Sequence, residues 1–598
     1  MANDLAEARD LLSQPAADLT HDEGERVNAL LNDVNERVTG VPASLIGWIP
    51  IVSANLDALD AVSGSVPPVV DRALELRDAA DELARQGLLR DGRVDLAAIE
   101  ELRPAVQAEA EALRDLEEAL EANKNGKLAP PIWTAVDDLA YEVADISRDV
   151  RALDDLLGHA GGMLGANGER TYLILLMNNA ELRGAGGILT GIGQMSADDG
   201  KLRISGFKSI HKLRTQKKNE VPVPEDFERF RIYGANDTSL FLNATYSPDV
   251  ADVGLVSSRL YEEITGTATD GAMVVDPRGI AALMPPDATL RVPRSDRTVT
   301  TEELADFVYS DAYVEFTDQD ERRNAILNVG ERAFDVILDS GLDGEDALER
   351  AADAFSGGHI RFVSFDEGER SALDAVDVAG DLEPVEGDSL LVAVQNRGSG
   401  RPGIGSKLDF WERRRIEHDC AVRADEEEIE CVTAVALRNE APTGLPSYVT
   451  GGGKPYGAIH SFLEILIPAE AEITGLERDG REPGVVIEEQ ADRMSVGLSV
   501  VVERGDTTTV EVGYTLPYRG RYSFVATPQP LARDASIDIE LALPTDWTVR
   551  GPGRWEDNTF RYQTTFVEPI SISAGPSDRS GLPALWESLT DFWSEPLL

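Results

Sequence analysis

The segment Tyr172–Ile188 reads YLILLMNNAELRGAGGI and sets the fold of the sequence around it. Its first part, Tyr172–Met177, is a continuous apolar run, which is typical of a strand buried on both faces. Four polar side chains follow the run directly, namely Asn178, Asn179, Glu181 and Arg183. Glycines at positions 184, 186 and 187 come next, so we predict a buried strand that ends in a polar, glycine-rich turn.

This turn is a candidate binding site. In open α/β sheets, ligands bind outside the carboxyl ends of the strands. Gly186 and Gly187 permit a positive φ and a close backbone approach to a ligand, and Arg183 suits a phosphate or a carboxylate. A tight turn in which Glu181 and Arg183 pair with each other is the alternative, and the residues alone leave both interpretations open.

Strands and helices alternate after this segment. Residues 201–210 have the pattern of a strand, and residues 251–264 that of a helix. Ala272–Asp276 is a short buried strand, and Pro277 takes the favoured first position of the next helix. A long helix is predicted at 321–338. We therefore predict an α/β domain over residues 166–375.

The sequence before this domain, residues 1–165, is predicted to form a helical bundle or stalk. Apolar residues recur there at helical spacing, which buries one face of a helix. The residues of this stripe are Leu102, Val106, Leu113, Leu116 and Leu120. The apolar run around Trp48-Ile49-Pro50 interrupts the pattern, either as a helix-hairpin corner or as a contact with a membrane interface.

The sequence after the α/β domain, residues 376–580, reads almost entirely as strands between Gly, Pro and Asp turns. This pattern predicts one or two β-sandwiches. Cys420 and Cys431 flank a polar turn at hairpin spacing. We predict a cross-strand disulfide, and with it an oxidising compartment, while two buried free thiols are the alternative. Residues 581–598 are predicted to form a short amphipathic helix.

Length and charge limit the function classes. The 598 residues are enough for three or four domains. The formal net charge of −52 argues against nucleic acid as a partner, because phosphate binding needs positive patches. It also argues against adsorption to an anionic lipid surface.

Targeting signals are missing from the sequence. No segment reaches the roughly 18 apolar residues that cross a bilayer, and the N-terminus does not resemble a signal peptide. The sequence fits a soluble cytoplasmic protein, or an extracytoplasmic protein whose membrane anchor has been removed.

A second candidate site follows Asp311-Ala312-Tyr313. Arg322 and Arg323 lie side by side near the start of a predicted helix, where the helix dipole disfavours positive charge. An anionic partner would offset this effect, whereas a solvated helix end with nearby acids is the alternative. Familiar catalytic and metal motifs, such as a P-loop, a nucleophile elbow or HExxH, are missing.

Together these motifs resemble the bacterial domain of unknown function 4012 family. The resemblance extends over residues 170–450, and Tyr172–Ile188 is its hallmark. The supporting runs are Asp270–Pro277, Asp311–Tyr313 with Asp318, Gln319, Arg322 and Arg323, and Asn439–Tyr448. Members carry an N-terminal transmembrane helix with the rest outside the membrane. The resemblance therefore implies an extracytoplasmic protein that is associated with the cell membrane or cell wall through a removed N-terminal anchor.

The α/β domain is also similar to the LytR-CpsA-Psr proteins in its order of elements. Those proteins transfer glycopolymers from a polyprenyl-pyrophosphate carrier to peptidoglycan, with arginines at the pyrophosphate and acids at a magnesium ion. The likeness implies arginines that hold a diphosphate, acids that hold magnesium, and a hallmark turn that completes the binding site. In that order, these residues are Arg183, Arg322 and Arg323; Glu181 and Asp276; and Asn178, Asn179, Gly186 and Gly187. Glu181, Arg183 and Asp276 are the implied catalytic residues.

Two departures from the transferase pattern are visible. The Ser-Ile-Pro-Arg-Asp segment of the transferases falls where this chain has Ser209-Ile210-His211-Lys212, and their early metal-binding Asp corresponds only loosely to Asn178 or Glu181. The expected function is therefore an envelope protein that binds a cell-wall glycopolymer linked to polyprenyl pyrophosphate, or a polyprenyl-phosphate lipid, with phosphotransfer left open. A non-catalytic envelope scaffold or surface-interaction protein is the alternative. Magnesium is the one cofactor expected.

Overall fold

A computed structural model describes most of the chain between residues 50 and 576. The described residues are 26, 29, 50–123, 130–213, 220–233, 237–342, 345–382, 384–398, 405–452, 454–545, 547–556 and 558–576. Trp48 and Ile49 of the predicted corner, and the predicted amphipathic tail at 581–598, lie outside these residues. None of the described helices is long and apolar enough to cross a membrane.

The described part of the N-terminal region contains three long helices, in agreement with the predicted helical region. They are α1 (Pro50–Gln86), α2 (Leu96–Asn123) and α3 (Pro130–Met163). The five apolar residues of the predicted stripe on α2 are all buried in one core with residues of α1 and α3. The amphipathic spacing thus places α2 between its two neighbours.

A short hairpin lies between α1 and α2 of this helical region. Its strands are β1 (Leu89–Arg90) and β2 (Arg93–Val94). Asp91 and Gly92 both have positive φ, which a tight turn requires. Arg93 of β2 pairs with Lys201, so the hairpin extends the sheet of the next domain.

The central domain is built on one seven-stranded sheet in the order β1-β2-β5-β4-β3-β6-β9. Neighbouring strands are antiparallel except for β3 and β6, which run parallel. Its remaining strands are β3 (Arg170–Arg183), β4 (Gly186–Asp198), β5 (Lys201–Ser209), β6 (Gly271–Val275) and β9 (Ile360–Ser364), and β7 (Thr289–Arg291) and β8 (Thr298–Thr300) form a separate pair.

The helices of this domain connect the strands. They are α4 (Asp237–Leu242), α5 (Val250–Thr265), α6 (Pro277–Leu283), α7 (Leu304–Asp306), α8 (Ala312–Glu315), α9 (Gln319–Ser340), α10 (Glu345–Ser356) and α11 (Glu367–Asp374). A π-helical turn, Phe307–Asp311, joins α7 to α8. Shorter 3₁₀ turns lie at Ile210–Lys212, Glu228–Tyr233 and Ala244–Tyr246.

The apolar run of β3 serves two cores because side chains alternate across a strand. Ile174 and Leu176 face the core that contains α9. Leu173 and Leu175 face the core that contains α5 on the other side of the sheet. A strand covered on both faces must be apolar at every position, which explains the continuous run that predicted it.

The C-terminal region consists of two seven-stranded sheets that share one hydrophobic core. Their orders are β15-β16-β13-β10-β18-β23-β20 and β14-β17-β12-β11-β19-β22-β21. The strands are β10 (Asp388–Asn396), β11 (Glu412–Arg423), β12 (Glu428–Asn439), β13 (Ile459–Pro468), β14 (Glu472–Arg478), β15 (Val486–Gln490), β16 (Arg493–Val502), β17 (Thr507–Pro517), β18 (Tyr522–Thr527), β19 (Ala535–Ala542), β20 (Trp547–Arg550), β21 (Arg554–Glu556), β22 (Thr559–Phe566) and β23 (Ile570–Pro576). A 3₁₀ turn, Leu408–Trp411, precedes β11, and α12 (Ser447–Thr450) precedes β13.

The predicted cross-strand disulfide is present. Cys420 on β11 lies directly opposite Cys431 on β12, and their sulfur atoms are bonded. Both side chains face the core between the two sheets, where alternate positions of β11 are buried. The disulfide therefore joins the two strands of one hairpin inside the sandwich.

Candidate functional site

The hallmark segment forms a strand and a bulge, which corrects the predicted turn. β3 continues through Arg183, and the turn itself is only Gly184-Ala185. Asn178 pairs with Ile188 and Leu182 pairs with Gly187, so Asn179, Ala180 and Glu181 bulge out of the ladder. A bulge re-aims side chains that a regular strand would point above and below the sheet.

Gly186 and Gly187 of this hairpin are explained by the local backbone and not by a ligand. A Cβ at position 187 would lie 2.5 Å from the backbone carbonyl carbon of Asn178. Gly186 has a φ of +121°, which L side chains rarely adopt. Neither residue lines the cleft described below.

The bulge docks the central domain onto the sandwich. The backbone N–H of Leu182 donates to Oδ2 of Asp409 at 2.7 Å. Gln529 Nε2 donates to the carbonyl of Arg183 at 2.6 Å, and Asn179 Nδ2 donates to the carbonyl of Pro530 at 2.9 Å. The hallmark residues therefore satisfy polar groups of a domain interface, which the prediction of a polar, glycine-rich turn did not include.

Asp276 lies at the carboxyl end of β6, next to the carboxyl end of its parallel neighbour β3. Its carboxylate caps α6 by accepting from the N–H groups of Arg278 and Gly279 at 2.8 and 3.0 Å. The other carboxylate oxygen accepts from Asn179 Nδ2 at 2.8 Å and lies 2.6 Å from His359 Nδ1. Asp276 is fully buried, so its surroundings are those of a structural cap.

A cleft lies where the bulge, the start of α9 and the sandwich meet. It contains about 630 Å³ of empty space, which includes open solvent. Its polar lining includes four of the predicted site residues, Asn178, Glu181, Arg322 and Arg323. His211, Lys407 and Tyr448 also line it. The two candidate sites of the sequence thus contribute to one cleft.

Glu181 is held by two cations at the base of the cleft. Lys407 Nζ donates to Oε2 of Glu181 at 2.6 Å, and Arg183 Nη2 donates to Oε1 at 3.1 Å. Burial alone would raise the pKa of Glu181, but the charges and hydrogen bonds of Lys407 and Arg183 outweigh it, so this pKa lies below its ordinary value. Burial alone would lower the pKa of Lys407, and the charge of Glu181 reverses this, so that pKa is raised. Both groups are therefore charged at neutral pH.

Arg322, unlike Arg183, has no acidic partner among the described residues. It is 3% exposed, and its Nη1 donates to the carbonyl of Phe316 at 2.9 Å. Its guanidinium carbon lies 4.2 Å from the ring centroid of Tyr448 and 5.1 Å from that of Tyr313. Within the described part of the chain, no carboxylate forms an ion pair with Arg322. Buried charges are normally paired, so this arginine lacks an anion.

The rest of the lining divides into basic and apolar residues. Arg323, next to Arg322, is about one-third exposed and lies 3.7 Å from Asp320, a distance typical of a weak surface pair. The apolar lining residues are Ile188, Leu242, Ile326 and Leu327. A ligand with an anionic head and an apolar body would match this division.

The arginine set of the sequence prediction is divided between two places. Arg322 and Arg323 line the cleft, whereas Arg183 does not. Arg183 is buried against the ring of Tyr246 and pairs with Glu181, as in the alternative that the sequence left open. Its guanidinium stabilises the carboxylate of Glu181 and does not line the cleft.

The predicted magnesium ligands do not fit a metal site in this arrangement. The carboxylate of Glu181 is engaged by Lys407 and Arg183, and that of Asp276 by a helix cap and two side chains. Neither belongs to a cluster of three or more potential metal ligands within the ranges that the structure describes. No catalytic step is therefore derived through magnesium.

Sequence reasoning missed Lys407 and the pairing of Tyr448 with Arg322. Tyr448 ends one of the motif runs, but it lies in the sandwich, and nothing in the sequence places it against α9. Lys407 stands in no motif at all. Both residues line the cleft because the sandwich packs against the central domain. Neither hydrophobic periodicity nor motif spacing predicts how two domains pack.

Comparisons with solved structures give only weak local likeness. An M1 zinc metallopeptidase from Deinococcus radiodurans aligns at a TM-score of 0.18 and 10% identity, over 27% of this chain and 41% of that chain. A nutrient binding protein from Legionella pneumophila aligns at 0.21 and 4%, over 32% and 73%. Leukotriene A4 hydrolase from Saccharomyces cerevisiae aligns at 0.17 and 14%, over 27% and 28%. These scores carry no argument about fold or function.

Sequence comparison gives a family for the central domain. No curated protein matches the sequence. Residues 167–313 match the family described as protein of unknown function (DUF4012). This stretch includes the hallmark hairpin and the π-helical turn that leads to Tyr313. The match over residues 167–313 agrees with the motifs that predicted a resemblance to this family.

Proposed function

We propose that the chain binds a polyprenyl-pyrophosphate-linked glycopolymer, or a related polyprenyl-phosphate lipid, in the cleft between the central domain and the sandwich. The observation that carries this proposal is Arg322, a buried guanidinium with no acid partner among the described residues. A diphosphate would supply the missing negative charge. Arginine suits it because the guanidinium fork matches two phosphate oxygens.

The electrostatics of the cleft support an anionic ligand even though the whole chain carries −52. Arg322, Arg323 and Lys407 line it, while Glu181, the one carboxylate among its described lining residues, is already paired. Local positive charge in a cleft with low-dielectric walls attracts anions independently of the net charge. The tyrosine rings beside Arg322 hold the guanidinium in place without neutralising it.

The apolar lining of the cleft supports a prenyl chain rather than a free phosphate. Ile188 and Leu242 line the cleft together with Ile326 and Leu327, which lie on α9 one turn after the two arginines. A prenyl group in contact with such side chains gains roughly 25 cal/mol for each Å² of apolar surface removed from water. Diphosphate and prenyl chain would thus bind through different parts of one lining.

Binding without transfer is the form of this function that the geometry supports. Glu181 and Asp276, the acids expected to act in catalysis, have their carboxylates engaged by other groups. The alternative of a non-catalytic envelope scaffold shares this feature and differs in having no ligand at Arg322. The Cys420–Cys431 disulfide supports an extracytoplasmic location for either form, because disulfides persist in oxidising compartments.

Calorimetric titration with farnesyl pyrophosphate, a soluble prenyl pyrophosphate, tests the proposal. We expect binding by the wild type and a loss of affinity of about 10- to 100-fold in Arg322→Ala, as for a hydrogen-bonded charge pair. Arg322→Lys should lose part of this, because it keeps the charge but not the fork. Arg332→Ala is the matched control, since Arg332 lies on the same helix, is exposed, and contacts the carbonyl of Arg291 outside the cleft.

Two further arms separate the parts of the ligand. Inorganic pyrophosphate should bind more weakly than farnesyl pyrophosphate, and a chelator should leave the affinity unchanged, because no magnesium site is formed by Glu181 and Asp276. Undiminished binding by Arg322→Ala, or no binding by the wild type, would contradict the proposal and favour the scaffold.

A further inference from the structure

A second polar cluster lies inside the sandwich, away from the cleft. It consists of Asp388 at the start of β10 and His418, Cys420 and Cys431 on the facing sheet. All four side chains are buried. One possible ligand atom from each lies within 4.8 Å of those of the other three. Two sulfurs, an imidazole nitrogen and a carboxylate oxygen are a donor set that suits zinc.

Four of the six distances between these atoms are close to the edges of a tetrahedron around zinc, whereas the two sulfurs are bonded to each other and separate only on reduction. Zn–N, Zn–O and Zn–S bonds of roughly 2.0–2.3 Å give edges of about 3.3–3.7 Å. Oδ2 of Asp388 lies 3.2 Å from His418 Nε2. It lies 3.4 Å from the sulfur of Cys420 and 3.5 Å from that of Cys431. The sulfur of Cys420 lies 3.2 Å from His418 Nε2.

The groups around the cluster hold these atoms in orientation. Nδ1 of His418 lies 3.0 Å from the hydroxyl of Thr433, which directs Nε2 towards the cluster. The hydroxyl of Tyr514 donates to Oδ1 of Asp388 at 2.8 Å, and that of Tyr522 donates to Oδ2 at 2.9 Å. The ring of His418 stacks on Phe524 with centroids 4.3 Å apart. Such outer contacts orient the ligands in natural zinc sites.

We propose that reduction of the Cys420–Cys431 disulfide converts this cluster into a tetrahedral zinc site. A dithiol reductant supplies two electrons and two protons and is itself oxidised to a disulfide, which leaves two thiols in the chain. On binding Zn²⁺, both thiols release their protons, and the two thiolates, His418 Nε2 and Asp388 Oδ2 become the four ligands. The oxidised chain lacks the thiolates and does not form the site.

The position of the cluster gives a route for reductant and metal. Cys420 and Cys431 are each three residues from the hairpin turn that follows Arg423 and precedes Glu428. Asp388 and Tyr522 are the first residues of their strands. The cluster therefore lies near one end of the sandwich, so opening that end exposes it while the rest of the core stays packed.

Cobalt(II) titration of the full chain, monitored by absorption, tests the proposal. After anaerobic reduction with a dithiol and removal of the reductant, we expect one cobalt per chain with a thiolate-to-cobalt charge-transfer band, and displacement of that cobalt by zinc. The oxidised chain should show neither. Thr433→Val should weaken binding by about 10- to 100-fold, as for other outer contacts.

Variants distinguish this site from nonspecific binding by thiols. His418→Gln should weaken binding more than Thr433→Val does, and Cys420→Ser with Cys431→Ser should abolish the charge-transfer band. His460→Ala, in the same sandwich but outside the cluster, should leave binding unchanged. Equal binding by oxidised and reduced chains, wild-type affinity in His418→Gln, or loss of the strand signal in circular dichroism on reduction would each overturn the proposal.

Discussion

Two arginines of this chain have opposite surroundings although both belong to the same set of motifs. Arg183 pairs with Glu181 and donates to the carbonyls of Leu182 and Asn396. Arg322 lies between two tyrosine rings without an acid among the described residues. The sequence could predict that both arginines matter, but their partners come from distant parts of the chain. Only the structure separates the arginine that needs a ligand from the one that does not.

Glu109 on α2 supports a prediction of pH-dependent stability. It is fully buried, neither carboxyl oxygen has a hydrogen-bond partner among the described residues, and burial raises its pKa to about 8. The folded chain therefore keeps a proton that the unfolded chain releases above its ordinary pKa. The free energy of unfolding should fall by about 1.4 kcal/mol for each pH unit between about pH 5.5 and 7.5.

Chemical denaturation of the helical region, monitored by circular dichroism in the full chain, measures this slope. Glu109→Gln should remove it, because the amide does not titrate. Glu111→Gln, an exposed position on the same helix, is the control and should leave the slope intact. A slope of equal size in Glu109→Gln would show that other groups cause it.

Helices and strands whose pattern of apolar and polar residues matches their burial were predictable from the sequence. The helix predicted at 321–338 is found as α9, Gln319–Ser340, and its N-cap Asp318 accepts from the N–H groups of Asp320 and Glu321. The strand in the apolar run was predictable for the same reason. The bulge was not, because Asn179 and Glu181 are polar yet buried. A polar run predicts an exposed turn unless its buried partners are known, and these lie in the sandwich.

The contact between the bulge and the 3₁₀ turn at Leu408–Trp411 supports a prediction about how the sandwich stabilises the bulge. Asp409 accepts from the N–H of Leu182 and from Asn396 Nδ2 at 2.6 Å. Asp409→Ala would leave the buried N–H of Leu182 without an acceptor, at a cost of about 1–3 kcal/mol. Asn396 Nδ2 would keep its bond to the hydroxyl of Ser406. Hydrogen exchange at the Leu182 amide should then accelerate about 10-fold or more.

Asp538→Ala provides the control for this prediction. Asp538 pairs with the exposed Arg415 on the sandwich surface, and such pairs contribute about 0–1 kcal/mol. Exchange at Leu182 should be unchanged in this variant. If Asp409→Ala also leaves it unchanged, the bulge does not depend on the sandwich for its conformation.

At the scale of the whole molecule, the net charge of −52 describes the surface and not the cleft. The pattern of apolar residues along the sequence was enough to predict the order of regions. Helices come first, then alternating strands and helices, then strands. The cleft was not predictable, because it lies between two regions and takes Arg322 from one and Lys407 and Tyr448 from the other. The hallmark motif forms part of the interface between these two regions. This position accounts for the buried polar residues of the motif.

A crystal structure of the chain with bound farnesyl pyrophosphate would show directly whether the diphosphate lies at Arg322. We expect diphosphate density against the guanidinium groups of Arg322 and Arg323, near Lys407, with the prenyl chain against Ile326 and Leu327. Arg183 should keep its contact with Glu181. Diphosphate bound elsewhere, or a cleft that stays empty at saturating ligand, would contradict the proposed binding mode.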